Sequence, residues 1–313
     1  MSLAFPVSLL FTPDEILVRG FRTIGGLPNI TRCDYNRKTI AIFKTHFGPS
    51  PSVIACIWSD ILTKDIDLGL NKGDKSEKGF KMFLTSIHFL WAYPKNAGLL
   101  ASTCSTYKRN VEGESLWKWV RAIERLQEIK IVWPEEKYRD PKGQKFIISV
   151  DGVDMKTREK LTSTYNVDST QYSQKFNHGG VKYEIAIDAF DPKIVSVNGP
   201  FRGGEADINI FMNKLAPMIP EGKLVIADQV YKSSKHPEVN KKFSIPNYCD
   251  SKELFNFKTR VRARHESLNG RLKNFRCLTS TYHHPHHKHV HVFYAVCVIV
   301  QYEMDCGSPI FAA

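Results

Sequence analysis

Two short apolar runs, each ending in an aspartate, most strongly constrain how this chain folds. Asp151 ends the run that begins at Phe146, and Asp228 ends the run that begins at Leu224. Short apolar runs bounded by glycine, proline or charged residues are typical of strands buried on both faces of a sheet. If the two strands are neighbours, their terminal carboxylates meet at one edge of the sheet. We therefore predict an acidic site at that edge that attracts a divalent cation.

A third acidic residue lies in a basic stretch near the C-terminus. Apolar residues at helical spacing predict a long helix over Glu253–Phe275. A different face of this helix carries Arg262, Glu266, Asn269 and Lys273. A carboxylate among cations suits a metal ligand bordering a track of phosphates. The alternative is a solvated face of ordinary ion pairs.

The sequence pattern changes near residue 140 and divides the 313-residue chain into three regions. Residues 1–46 form an N-terminal extension. Residues 47–140 carry helical periodicity, with helices predicted over Val53–Leu62, Lys81–Tyr93, Ala97–Ser105 and Ser115–Gln127. This region is either a helix-turn-helix domain or a helical support with a basic face. Residues 141–313 form an α/β domain.

The α/β domain is predicted to contain four strands. They span Lys145–Asp151, Val181–Ala189, Ile194–Val197 and Leu224–Asp228. A helix over Gly204–Leu215 connects the last two, and its first acidic residues, Glu205 and Asp207, suit the positive end of the helix dipole. A crossover of this kind makes the first and fourth strands parallel neighbours. The result is a mixed sheet flanked by helices.

The charge of the chain predicts an anionic partner. A net charge of +12 favours nucleic acid over a membrane, because no basic amphipathic helix or lipidation signal is visible. Arg202, in a glycine-bearing loop, and Lys175, between the first two strands, are further candidates for DNA contact. For both, the alternative is an ordinary surface cation.

The cysteine pattern predicts reduced core thiols of an intracellular protein, because the seven cysteines are odd in number and widely spaced. We also predict no signal peptide and no membrane-spanning segment. A histidine-rich tract over His283–His291 leaves three interpretations open. It is a solvated loop leading into a C-terminal helix, a contact to the DNA backbone, or a metal site.

Five sequence blocks carry a resemblance to a known family. They are 150–152, 182–186, 198–211, 226–231 and 262–273. In this order, with an acidic residue at each expected point, they resemble the DDE-superfamily transposases. The nearest group is the PIF/Harbinger type, which is related to a group of bacterial insertion sequences. The resemblance covers about Lys145 to Leu278.

This resemblance implies an RNase H-like fold with a three-carboxylate centre. It assigns Asp151, Asp228 and Glu266 as catalytic residues and as ligands of two Mg²⁺ or Mn²⁺ ions, for DNA cleavage and transfer of 3′ ends. It implies the nucleus in a eukaryotic host, or the cytoplasm and nucleoid in a bacterium. Two alternatives stay open: a catalytically silent DNA-binding or scaffold protein derived from a transposase, and an RNase H-like nuclease for RNA or hybrids.

Two departures from the family pattern affect this interpretation. Many Harbinger-type proteins have a histidine three positions after the first aspartate, where this chain has Asp154. Asp154 either adds a carboxylate near the metals or, as we favour, is a solvated residue past the strand. The short region before Phe47 leaves little room for a separate DNA-binding domain. The resemblance implies a partner protein with a Myb-like domain, on which members of this family often depend, and a homo-oligomer is compatible with the sequence.

Overall fold

The computed structural model describes residues 10–24, 34–94, 114–159, 168–232 and 235–311. The chain forms two compact units. The first comprises Met1–Lys130, Leu272–Ser280 and His291–Ser308, and the second comprises Ile131–Arg271, Thr281–Val290 and Pro309–Ala313. The three predicted ranges, 1–46, 47–140 and 141–313, stay a prediction.

Helices build the first unit, as the N-terminal periodicity predicted. Those before residue 131 are α1 (Pro13–Thr23), α2 (Arg37–Phe47), α3 (Pro51–Thr63), α4 (Glu77–Ala92), α5 (Ser115–Arg125) and α6 (Gln127–Lys130). Serine caps begin two of them, because the Ser50 and Ser76 hydroxyls accept hydrogen bonds from backbone N–H groups in the first turns of α3 and α4. The predicted helix over Ala97–Ser105 lies outside the described residues.

Aromatic side chains fill the core of this helical unit. The Trp58 ring lies 4.9 Å from the Phe80 ring and 5.8 Å from the Trp119 ring, measured between centroids. The three rings come from α3, α4 and α5, and all are buried. Large apolar rings stabilise such a core through the area that they remove from water. The helix-turn-helix interpretation stays a prediction.

A five-stranded mixed sheet forms the centre of the second unit. Its strands are β1 (Phe146–Lys156), β2 (Tyr172–Ser173), β3 (His178–Asp188), β4 (Ile194–Arg202) and β5 (Leu224–Ile226). β3 is the hub, because β1, β2 and β4 all pair with it in antiparallel fashion. β5 pairs with β1 in parallel. The predicted parallel neighbours are therefore confirmed.

The first strand is longer than predicted. We expected it to end at Asp151, but it continues to Lys156, because β3 pairs with it as far as the Lys156–Gly180 position. The parallel pairing with β5 ends earlier, at Ser149 and Ile226. Asp151 therefore does not end the strand. It lies just past the point where the parallel neighbour stops.

Helices cover both faces of the sheet. On one face, α8 (Asp207–Lys214) packs Ile208 and Phe211 into a core that includes Ile148 and Val225. On the other face, the long α10 (Lys252–Asn274) packs Val261 near Ile226. The remaining helices are α7 (Glu135–Arg139), α9 (Pro237–Asn240), α11 (Arg276–Thr279) and α12 (His289–Asp305). The predicted RNase H-like mixed sheet flanked by helices, with a helical region before it, is confirmed.

The histidine tract leads into α12, as the loop interpretation predicted, but part of it is buried rather than solvated. His289 is 1% exposed, and its Nδ1 lies 2.7 Å from the Tyr183 hydroxyl of β3. Burial lowers the pKa of His289 to about 3 and that of His284 to about 4. Both imidazoles are therefore neutral at physiological pH. Packing of this tract beside the sheet explains why several of its side chains are shielded from water.

Exposure of the cysteines differs from the prediction of core thiols. Cys277 and Cys297 are buried, as expected, but Cys56, Cys249 and Cys306 are exposed. All five are free thiols, and Cys33 and Cys104 lie outside the described residues. Exposure cannot be derived from the spacing of cysteines alone. Within the described ranges, no helix is long and apolar enough to cross a membrane.

Candidate active site

The three predicted carboxylates line one open pocket in the second unit. The pocket has a volume of about 240 Å³, and its walls include Asp151, Asp228 and Glu266. Its other lining residues are Val150, Thr259, Arg262, Ala263 and His265. The fold therefore brings together three acidic residues that are far apart in sequence.

Each carboxylate reaches the pocket from a different element. Asp151 lies in β1, past the end of its parallel pairing with β5. Asp228 follows β5 and caps the 3₁₀ turn Gln229–Tyr231, whose first N–H donates to the Asp228 Oδ1. Glu266 is exposed on α10, which passes across the sheet. Parallel adjacency of β1 and β5 thus places the two aspartates at one edge.

Asp151 is the least solvated of the three carboxylates. Burial, together with the nearby charges of Asp207 and Glu266, raises its pKa to about 6. A hydrogen bond from the Asn269 side-chain amide to the Asp151 Oδ2, 3.2 Å long, acts in the opposite direction and favours the carboxylate. The negative charge at this position is therefore poorly compensated by the protein itself.

Asp228 carries a cationic partner. The Arg262 Nη2 lies 2.9 Å from the Asp228 Oδ2, and the two side chains are 37% and 51% exposed. Arg262 and Glu266 are one helical turn apart on α10, a spacing that suits an ion pair between these two side chains. The guanidinium instead reaches the aspartate that follows β5.

Beside the pocket, a buried histidine connects α10 to the sheet. The His265 Nε2 lies 2.9 Å from the Ser149 hydroxyl of β1. Burial lowers the pKa of His265 to about 4, so its ring is neutral at physiological pH. This contact fixes the helix next to the strand that carries Asp151. Sequence reasoning missed His265 because its neighbours are mostly charged.

A second set of charged groups lies on β3 and at the start of α8. The Lys182 Nζ is 3.0 Å from the Asp207 Oδ1 and donates to the Glu205 backbone carbonyl at 2.8 Å. Gly152 allows this close approach, because a Cβ built there would lie 2.6 Å from the Asp207 Oδ1. Asp207 is therefore an ion-pair partner of β3 in addition to an acidic residue in the first turn of α8.

Glu184 is the buried carboxylate that sequence reasoning missed. It pairs with Gly152 across β1 and β3, and it is 2% exposed. Burial raises its pKa to about 8, although the Asn198 amide donates to the Oε2 at 3.3 Å. The available signal was a lone carboxylate inside the apolar run of β3.

Asp154 is not a solvated residue past the strand, as we had favoured. It lies within β1, and its side chain is only 12% exposed. The Ser173 hydroxyl donates to its Oδ2 at 3.1 Å, and the Lys182 Nζ is 4.0 Å from its Oδ1. The unexpected length of β1 explains this difference. Asp154 does not line the pocket of the three carboxylates.

Of the five candidates for DNA contact, Arg262 alone lines this pocket. Asn269 is 9% exposed and directs its amide to Asp151. Exposed positions are found for Lys175 before β3, for Arg202 at the end of β4 and for Lys273 near the end of α10. Their contact with DNA stays a prediction.

Comparison with known families agrees with this geometry. Residues 150–301 match the family model described as DDE superfamily endonuclease. This part of the chain belongs to the DDE superfamily endonucleases. The matched segment contains all three pocket carboxylates, together with β3, β4 and α10. No curated protein and no solved structure matches the chain.

DDE superfamily membership supports a nuclease or transposase-type function and raises the question of a metal. The donor set fits Mg²⁺ or Mn²⁺, since the pocket offers three carboxylates and these hard cations take oxygen ligands. Burial is the main cause of the raised pKa of Asp151, and a cation bound there would offset the unfavourable buried charge. Across the described ranges, no group of three or more His, Cys, Asp or Glu side chains lies close enough together to hold a metal ion as the side chains stand.

Proposed function

We propose that this protein is a metal-dependent DNA endonuclease and strand transferase of the transposase type. The observation that carries the proposal is the convergence of Asp151, Asp228 and Glu266 on one pocket. These three residues would hold two divalent ions, Mg²⁺ or Mn²⁺. When bound, such ions supply Lewis acidity at the scissile phosphate and help to activate a water molecule.

The residues of the chain set the geometry of this reaction. Asn269 orients Asp151 and favours its charged form by donating to the Oδ2. His265 anchors α10 to β1 through Ser149 and so holds Glu266 at the pocket. A DNA strand cleaved here would leave a 3′ hydroxyl, which would attack the target DNA in the transfer step. We further propose that the protein is a transposase of the PIF/Harbinger type.

We also propose a substrate, partners and a cellular location for this reaction. The substrate is DNA, which accords with the net charge of +12. A Myb-like partner would supply site selection, and a homo-oligomer would hold two DNA ends. In a eukaryotic host the protein would act in the nucleus.

Substitution of the aspartates tests this function. We expect Asp151→Asn and Asp228→Asn each to lower Mg²⁺-dependent nicking of supercoiled DNA at least about a thousandfold, because each removes a charged ligand. DNA affinity should stay similar or rise, since negative charge is removed near the phosphates. Asp65→Asn, at an exposed position in the first unit, is the matched control. Normal nicking by Asp151→Asn would refute the assignment.

A further inference from the structure

The guanidinium of Arg262 pairs with an oxygen of Asp228 that would also be a ligand for a divalent ion. Asp228 Oδ1 accepts the N–H of Gln229, and Oδ2 accepts the guanidinium of Arg262 at 2.9 Å. Both oxygens of this carboxylate therefore already have a partner. A divalent ion that binds Asp228 competes with the guanidinium, because two cations at one carboxylate repel each other.

We propose that Arg262 is an exchangeable counter-ion: it neutralises Asp228 in the metal-free protein and transfers to a DNA phosphate when a divalent ion binds. This inference rests on the proposed function of the site. It assigns Arg262 a substrate-binding role that depends on the state of Asp228.

Geometry and exposure make this exchange feasible. Both side chains are more than a third exposed, and ion pairs of this kind contribute little net stability. Arg262 lies on the same helix as Glu266 and lines the same pocket, so its side chain can leave Asp228 and still remain at the pocket. A guanidinium binds phosphate well because its planar fork donates two parallel hydrogen bonds.

The charge of the pocket favours the same sequence of events. Three carboxylates and one guanidinium leave the metal-free pocket acidic, which repels a phosphodiester. Divalent ions reverse this balance. They would also release the only cationic side chain that lines the pocket among the described residues. Cation binding and DNA binding are therefore expected to be linked through Arg262.

Calorimetric titration with Mn²⁺ in the absence of DNA tests the first half of this proposal. Arg262→Gln removes the competing cation and should bind Mn²⁺ about two- to fivefold more tightly than the wild-type chain. Arg262→Lys keeps the charge and should bind Mn²⁺ nearly as the wild type does. Arg260→Gln, an exposed position on the same helix outside the pocket, is the matched control for loss of charge.

DNA binding, measured by fluorescence anisotropy with Ca²⁺ as a cation, tests the second half. With Ca²⁺, Arg262→Gln should lower DNA affinity about tenfold and reduce the salt dependence by about one phosphate contact. Without a divalent ion, the same substitution should change affinity less than twofold, because Asp228 holds the arginine. Arg260→Gln should show no such dependence on the cation.

The outcomes separate this inference from the function on which it rests. If the wild-type chain binds no Mn²⁺, both the proposed function and the exchange are overturned. If the wild type binds Mn²⁺ but Arg262→Gln binds it equally or more weakly, the exchange alone fails. An equal loss of DNA affinity with and without Ca²⁺ would also overturn the exchange, since Arg262 would then be an ordinary surface contact.

Discussion

At the scale of one residue, the burial of Glu184 makes the stability of the folded protein depend on pH. Its carboxyl group is almost without access to water, and its pKa is raised to about 8 from a usual value of 4.5. A carboxyl group whose pKa is higher in the folded state binds its proton more tightly there. Its contribution to stability is therefore complete at low pH and is lost as the pH rises from about 4.5 to about 8.

Glu184→Gln should remove this pH dependence. We expect the substitution to stabilise the protein on the order of 3 kcal/mol at pH 8 and by much less at pH 5, because the amide cannot ionise. Thermal unfolding between pH 5 and pH 8.5 measures the difference between variant and wild type. Glu221→Gln, at an exposed position, is the control. Parallel curves for Glu184→Gln and wild type would contradict the expected burial effect.

At the scale of secondary structure, one arginine fixes the long helix to the sheet. Arg264 is fully buried on α10 and donates to three carbonyls of the turn after β3: Asp188 at 3.2 Å, Ala189 at 2.8 Å and Phe190 at 3.1 Å. It also donates to the Phe311 carbonyl at 3.1 Å. Buried carbonyls need hydrogen-bond partners, so this side chain determines where α10 lies on the sheet.

Arg264→Lys should therefore be a disruptive substitution. An ammonium group cannot reproduce the planar fork, and several carbonyls would lose their donor, at a cost of about 2 to 4 kcal/mol. Urea denaturation measures this cost. Arg260→Lys on the exposed side of the same helix should change stability by less than about 0.5 kcal/mol. Similar unfolding midpoints for the two variants would show that the hydrogen bonds of Arg264 contribute no stability.

The sequence predicts which strands are neighbours in the sheet better than it predicts the side-chain contacts around them. Two apolar runs and a crossover were enough to place β1 beside β5, because buried parallel strands have a clear pattern and crossovers have one hand. The continuation of β1 to Lys156 was missed because Asp151-Gly152 was taken as the end of the strand, although Val153–Lys156 alternate in polarity as a half-buried strand does. Pairing with β3 determines that length.

Contacts between distant side chains were the least predictable part of the site. Asn269 and Arg262 were both assigned to a DNA-facing helix surface on helical spacing. In the structure Asn269 is buried beside Asp151, and Arg262 pairs with Asp228. The helical period gives the face on which a residue lies, but the orientation of that face depends on contacts such as those of Arg264.

At the scale of the whole molecule, a chain of net charge +12 contains an acidic pocket. This charge would attract DNA over long distances, whereas the three carboxylates would repel phosphates at short range. The general attraction is screened by salt. A bound cation is needed only at the pocket, where it offsets the charge of the three carboxylates.

DNA affinity should accordingly fall with ionic strength. We expect a decrease of at least about tenfold between 50 and 200 mM KCl, because Lys and Arg contacts release counter-ions from the DNA. Fluorescence anisotropy with a short duplex measures it. Asp151→Asn should give the same salt slope, since it removes no cationic contact. An affinity that does not change with salt would rule out DNA as an electrostatically bound partner.

The order of segments along the chain limits how this protein can be divided. A fragment ending just after Glu266 would keep all three pocket carboxylates but would lose Tyr282 and His289. Tyr282 donates its backbone N–H to the Lys156 carbonyl at the end of β1, and His289 bonds to Tyr183 on β3. Both strands would lose a neighbour that arrives late in the sequence. The unit that contains the pocket therefore cannot be separated by a single cut in the chain, and hybrid proteins must exchange several stretches together.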